Sequence, residues 1–214
     1  MKINLELLKS KTTNQTILEW FEQKYQTQEI DYQAALDAAV EAEKVGIAHG
    51  LLEAVGPTKD VLKITGDLVI KTSLVFAGFI EVTGFIESGR GIESGRGIKA
   101  GWGIKAGDGI KAGDGIKAGW GIKAGRGIES GRGIESGRGI KAGDGIKAGW
   151  GIEAGWGIEA GDGIKAGWGI KAGDGFGIFA GIHVRIARWE FDAQVVSKTK
   201  PLNLISGFFK ATEG

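Results

Sequence analysis

Chemistry needs side chains that move protons, hold ions or present charge, and this 214-residue chain carries few kinds of them in any pattern. It has no cysteine, which excludes thiol catalysis, disulfides and thiolate metal sites. Its two histidines, His49 and His183, lie near opposite ends and belong to no metal or acid-base motif, so each is read as a structural or surface residue. The patterned residues are Trp, Arg and Asp. From Arg90 to Asp174 every sixth residue is one of these three, each set between two glycines. Five of the seven Trp and five of the seven Arg in the whole chain stand there. Trp and Arg are the types most enriched where protein interfaces concentrate their binding energy. The chemistry on offer is recognition, with no histidine inside the repeat to serve as a general base. The expected partner-binding residues are Trp102, Trp120, Arg138 and Trp156 on one edge, with Trp150 and Trp168 on a neighbouring edge. The competing reading is structural, with Trp shielding the edge and Arg pairing with Asp between rungs.

The element that must position them is a hexad. From Ile86 to Gly175 the sequence is fifteen consecutive copies of Ile-(Lys/Glu)-(Ala/Ser)-Gly-(Asp/Trp/Arg)-Gly. The same phase extends through Leu62, Leu68, Leu74 and Ile80 before this block and through Phe176 and Ile182 after it, giving twenty-one hexads. Strand alternation sends the first and third residues to one face and the second to the other. Ile and the small residue therefore face inward, and Lys or Glu faces solvent. The two glycines then turn the chain through backbone angles that other residues avoid, leaving the fifth residue outside at a corner. A three-residue strand has no stability of its own, but stacked coils let each Ile pack on the next. The pattern predicts a mostly β fold, a capped β-solenoid.

Stacking every third hexad aligns the corners as Arg90-Asp108-Arg126-Asp144-Asp162, Arg96-Asp114-Arg132-Trp150-Trp168 and Trp102-Trp120-Arg138-Trp156-Asp174. Five of the twelve vertical contacts then pair opposite charges and one is repulsive, which favours this arrangement because such neighbours contribute about 0.2–1 kcal/mol each. Stacking every second hexad pairs the Lys/Glu position better. A three-sided helix of about seven coils is the expectation, with a flattened two-sided solenoid as the alternative.

The expected organisation is an α-helical N-terminal cap over 1–57, the solenoid over 58–182 and a C-terminal β cap over 183–214. Leu18, Phe21 and Tyr25 share a helix face in a segment starting near Asn14, Asp31 can cap the helix that follows, and Gly56-Pro57 stops the last one. Larger residues at the third hexad position (Ile64, Ile70, Phe76 and Val82, then Ile178 and Val184) are expected to close each end. In the tail, Ile182, Val184 and Ile186 alternate, and 190–196 and 202–210 read as strands.

Composition bounds the rest. Forty glycines with two prolines, lacking a three-residue period, exclude collagen, and 42% hydrophobic residues regularly placed exclude a flexible linker. The net charge of +1 supports neither a basic nucleic-acid binder nor an acidic DNA mimic. With no apolar run of membrane length, a cytoplasmic protein is expected. The Gly-Asp-Gly corners are six residues apart and only five of fifteen are Asp, unlike calcium-binding rolls. The apparent dinucleotide motif at 101–107 is the repeat itself. No enzyme activity, cofactor or metal is expected.

Residues Ile98, Ile104 and Ile110, spaced by six, resemble the left-handed β-helix of hexapeptide acyltransferases. That family carries a small residue two positions before the aliphatic one, where this chain has Asp, Trp or Arg, and the coils lack a general-base His. The stretch 64–84 resembles bactofilin-type polymer-forming β-helices, which implies end-to-end assembly. The layout of helical head, Gly-Ile-Lys-Ala-Gly repeats and β tail is similar to uncharacterised proteins of bacterial phages and mobile elements. That resemblance implies a non-enzymatic effector that binds a host defence protein, of which an anti-CRISPR would be one kind. A protein partner is therefore expected, with a homodimer allowed and no membrane or nucleic-acid partner.

Overall fold

The computed structural model describes residues 1–212, so the last two residues of the expected β cap lie outside the described residues. Each hexad of the block forms a three-residue strand, from Ile86–Ser88 to Ile170–Ala172. Ile and the small residue are buried in every one, and the intervening Lys or Glu turns outward. Through Ile152–Ala154 each strand pairs in parallel with the strands three hexads before and after it: Ile104 lies between Ile86 and Ile122, and Ile110 between Ile92 and Ile128. The coil is thus eighteen residues with three sides, and the flattened two-sided arrangement is ruled out.

Three parallel sheets result. The first face begins at Val61–Ile64 and has seven strands; the second, from Leu68–Ile70, and the third, from Leu74–Phe76, have eight each. The Ile side chains form one continuous core along the axis. Burying each is worth about 1.5–3 kcal/mol, and only the stack lets three-residue strands collect it. Outside, lysines reach carboxylates in the adjoining coil: Lys105 to Glu87 at 2.6 Å, Lys117 to Glu135 at 2.7 Å, Lys141 to Glu159 at 2.8 Å and Lys147 to Glu129 at 3.0 Å.

The role assigned to the glycines needs correction. Among the described residues, no glycine of the perfect block before Gly175 has a left-handed φ. The fourth position is glycine because of what lies beneath it. A Cβ on Gly125 would overlap the carbonyl oxygen of Gly107 in the preceding coil, whereas one on Gly127, at the sixth position, would sit 3.3 Å from the Gly145 oxygen. The backbones approach more closely than any side chain allows.

The N-terminal segment forms four helices, α1 (Leu5–Lys11), α2 (Gln15–Tyr25), α3 (Tyr32–Glu41) and α4 (Val45–Val55). The Asn14 carboxamide accepts from the Ile17 N–H, and the Asp31 carboxylate accepts from the N–H groups of Gln33 and Ala34. Gly56, with φ of 87°, ends α4. These helices share a core that includes Val75 and Ala77 of the first coil. The cap is lateral and partial. The Gln33 side chain plugs the open edge of the third face, its Nε2 donating to the Val75 carbonyl at 2.8 Å and its Oε1 accepting from the Ala77 N–H at 3.0 Å. Over the first two faces Leu62, Ile64, Leu68 and Ile70 are only half-buried, and Val69 is 63% exposed. The larger interior residues therefore fill the first coil without sealing it.

The other end departs from the expected register. Ile158 pairs with Ile178, two residues further on than the repeat requires, because the turn Gly173 to Gly177 is longer and Gly175 takes a left-handed φ of 79°. Ile178 occupies the buried first position; Phe176 and Ile182, placed inside by the hexad phase, are 42% and 40% exposed. Val184 is likewise no interior residue: 182–186 forms no strand, because the chain leaves the ladder there through a short helical turn, Trp189–Asp192. It then returns as strands Gln194–Ser197, Leu204–Ser206 and Phe208–Ala211. These continue the parallel second and third sheets, which is why the solenoid exceeds the expected seven coils.

Candidate functional site

The fifth hexad residues from Arg90 to Trp168 stand in three vertical rows, since each corner N–H donates to the carbonyl of the corner one coil earlier: Trp120 to Trp102 at 3.0 Å, Arg138 to Trp120 at 2.9 Å, Trp156 to Arg138 at 3.3 Å. This backbone ladder holds side chains of unrelated chemistry at one spacing, so the identity of the corner residue decides what each edge presents.

The edge between the second and third faces carries Arg90, Asp108, Arg126, Asp144 and Asp162, with Arg126 Nε 3.5 Å from Asp108. Between the third and first faces, Asp114 takes Arg96 from one side and Arg132 from the other, both at 3.4 Å, and Arg132 lies over Trp150 at 5.5 Å. Trp168, 67% exposed, ends that row beneath Lys198 at 5.0 Å.

The edge between the first and second faces is different in kind. Trp102 and Trp120 are stacked with centroids 5.3 Å apart and planes 7° from parallel. The Arg138 guanidinium lies 4.4 Å from the Trp120 ring and 5.1 Å from the Trp156 ring. Trp156 then stacks on Phe176 at 5.7 Å and 12°. Five planar groups thus form one continuous ladder, with Phe176 in the place expected for Asp174. Each indole of the ladder remains about half exposed. Because the planes of Trp102 and Trp120, and of Trp156 and Phe176, face each other, the ladder presents ring edges to solvent, with the one guanidinium between the two pairs. Ring edges carry the positive part of the aromatic quadrupole, so the whole row favours electron-rich partners.

The structure therefore brings Trp102, Trp120, Arg138 and Trp156 together, and sets Trp150 and Trp168 on the adjoining edge, away from that ladder. Phe176 is the member that sequence reasoning missed; the doubled spacing of Gly175 and Gly177 around it was the available signal. Beside each edge runs an open trough floored by the sixth-position glycines, with volumes of about 750, 590 and 780 Å³.

A second polar cluster lies where the helices meet the third face. Glu93, at an outward position, is buried there. Its Oε1 is 3.3 Å from Lys111 Nζ, and its Oε2 is 3.1 Å from His49 Nε2, a close contact without hydrogen-bond alignment. Burial works against the Lys111 charge, but Glu93 and Glu53 outweigh it and hold that ammonium above its ordinary value. Tyr32, raised by burial and then by the Glu93 charge, donates from its hydroxyl to the Leu51 carbonyl at 3.2 Å. The cluster ties α4 to the solenoid through two acids, a lysine and His49. His183 makes a 3.1 Å contact with the Gly143 carbonyl at the opposite end. Among the described residues no three His, Asp or Glu side chains converge in metal-binding range, and no helix is long and apolar enough to cross a membrane.

No protein-family model, curated protein or solved structure matches this chain.

Proposed function

We propose that the chain is a non-enzymatic binding protein whose aromatic edge, Trp102-Trp120-Arg138-Trp156-Phe176, docks a protein partner. The observation that carries this reading is the ladder itself. Three half-exposed indoles and an Arg held between two of them lie in one line on a rigid backbone, so little side-chain entropy is left to lose on binding. A solvated corner has no need of Trp, and the charged edge builds the same fold from Arg and Asp. In the effector reading implied by the overall layout, the partner is a host defence protein whose working surface the edge covers, and the protein acts in the cytoplasm. Affinity capture from the host with wild type and with the double variant Trp120→Ala, Trp156→Ala tests the proposal; a partner retained at unchanged affinity rejects the edge.

One observation favours a second reading, self-assembly of bactofilin type. Among the described residues the strands that begin the first two faces have no partner strand on their outer edge, and Val61 and Val69 there are 49% and 63% exposed. Uncovered apolar sheet edges recruit other chains. Analytical ultracentrifugation with electron microscopy discriminates: filaments growing with concentration support assembly, and a concentration-independent monomer excludes it.

A further inference from the structure

We propose that Arg138 is a carboxylate-recognition site, and that the partner of the aromatic edge presents an Asp or Glu side chain to it from within an apolar surface. This rests on the reading of that edge as a docking surface and specifies its chemistry.

The argument begins with what Arg138 lacks. Arg96, Arg126 and Arg132 each lie within 3.5 Å of an Asp carboxylate in an adjoining coil. Among the described residues Arg138 meets no carboxylate: its guanidinium carbon lies between the Trp120 and Trp156 rings, 4.4 and 5.1 Å from their centroids. A guanidinium carries five N–H donors in its plane and none on its faces. With an indole on either side of it along the row, the directions left open to its donors lead out of the ladder. A bidentate acceptor such as a carboxylate fits that fork, and charge-assisted pairs of this kind are the stronger hydrogen bonds.

The same geometry distinguishes a protein carboxylate from a nucleic-acid phosphate. A polyanion is held by repeated cations along its length, whereas this ladder offers one cation among five planar groups. Nor can the rings receive bases by stacking along the interior of the ladder. Trp120 is covered by Trp102 and Arg138, and Trp156 by Arg138 and Phe176. One charge set among ring edges matches one acid set among apolar residues.

Selection of short random peptides displayed on phage against the full chain, at physiological ionic strength, tests this. The expected winners carry an Asp or Glu flanked by apolar residues. A synthetic winner should bind Arg138→Gln about tenfold to a hundredfold more weakly. The loss should be similar when its own acid is changed to the amide, and Arg138→Lys should recover little because an ammonium cannot fork. Arg138 is exposed, and an unchanged melting temperature of the Gln variant verifies that the fold is kept. Winners that depend on Trp120 and Trp156 but bind Arg138→Gln or Arg138→Lys as well as wild type overturn the carboxylate site and leave the edge standing. Winners indifferent to all three residues, or no winners, overturn both. A single-stranded oligonucleotide that binds wild type and not Arg138→Gln reassigns the site to phosphate and overturns the proposal.

Discussion

The perfect block and the first coil use the same hexad for different ends. In the block each strand has a coil on either side, its Ile is fully buried, its fourth residue is glycine and its outward residue is Lys or Glu. In the first coil the fourth residues are Thr65, Lys71 and Ala77, and two outward residues are Val69 and Val75. No complete coil precedes it, so the stacking that demands glycine in the block is not repeated there and side chains stand at the fourth position. Helices cover Val75 and leave Val69 in solvent. The block is therefore constrained by its own backbone, and the first coil by what covers it.

The constraint inside the block breaks with the largest effect. Gly125→Ala places a methyl group on the Gly107 carbonyl, and the two coils must separate or bend. The expected loss is about 3 kcal/mol or more, the upper end of overpacking costs, whereas Gly127→Ala, with 3.3 Å of clearance, should lose far less. Thermal or urea unfolding of the two variants measures the difference. If glycine were present for its φ, both would be equally damaging. The core breaks with an effect of the same order. Ile128→Ala, at a site 1% exposed, should cost about 2–5 kcal/mol, and Leu68→Ala in the half-buried first coil about half as much or less. Equal losses would mean that the first coil is sealed.

The period, the inward residues and the rows of corners were legible because they depend on neighbours six and eighteen residues away, all of one repeating kind. The three-sided coil was favoured by the charge pairing of its corners, and three of those pairs form: Asp114 with Arg96 and with Arg132, and Asp108 with Arg126. The ladder at Trp102, Trp120, Arg138 and Trp156 could be read as a column, but its termination could not. Asp174 keeps the repeat's identity, and only a two-residue lengthening of the turn swings Phe176 onto Trp156. Glu93 was hidden for a related reason. Its hexad matches three others in the block, and its burial comes from a helix far away in the chain; Val75 beneath it was the one local sign of a cover.

The covered edge of the first coil gives an intermediate effect. Gln33→Ala removes two hydrogen bonds to the backbone of Val75 and Ala77, at a cost of about 1–2 kcal/mol. It also opens the third face, so the variant should self-associate more than wild type in sedimentation velocity. If its sedimentation stays that of wild type at every concentration, the plug contributes stability alone and plays no part in keeping copies apart.

The smallest effect concerns pH and the group that orients this plug. Asp37 Oδ1 accepts from Gln33 Nε2 at 2.8 Å. Burial raises the Asp37 carboxyl above its ordinary value, and the charges of Glu41 and Asp31 add to the rise while the Gln33 hydrogen bond opposes it. A carboxyl raised by folding binds its proton more tightly in the native state. Its contribution is fully present below the unfolded value of 3.8 and is lost as pH rises through the folded value. At neutral pH the ionised group therefore weighs slightly against the fold. Asp37→Asn keeps an oxygen that can accept from Gln33 and removes the charge, so it should be as stable as wild type or slightly more so at pH 7. That advantage should shrink as pH falls toward the ordinary aspartate range. Urea unfolding of both proteins across that window reads the difference. A variant that is less stable at pH 7 would show that the negative charge strengthens its grip on Gln33 by more than burial opposes it, and that the lateral cap is held electrostatically.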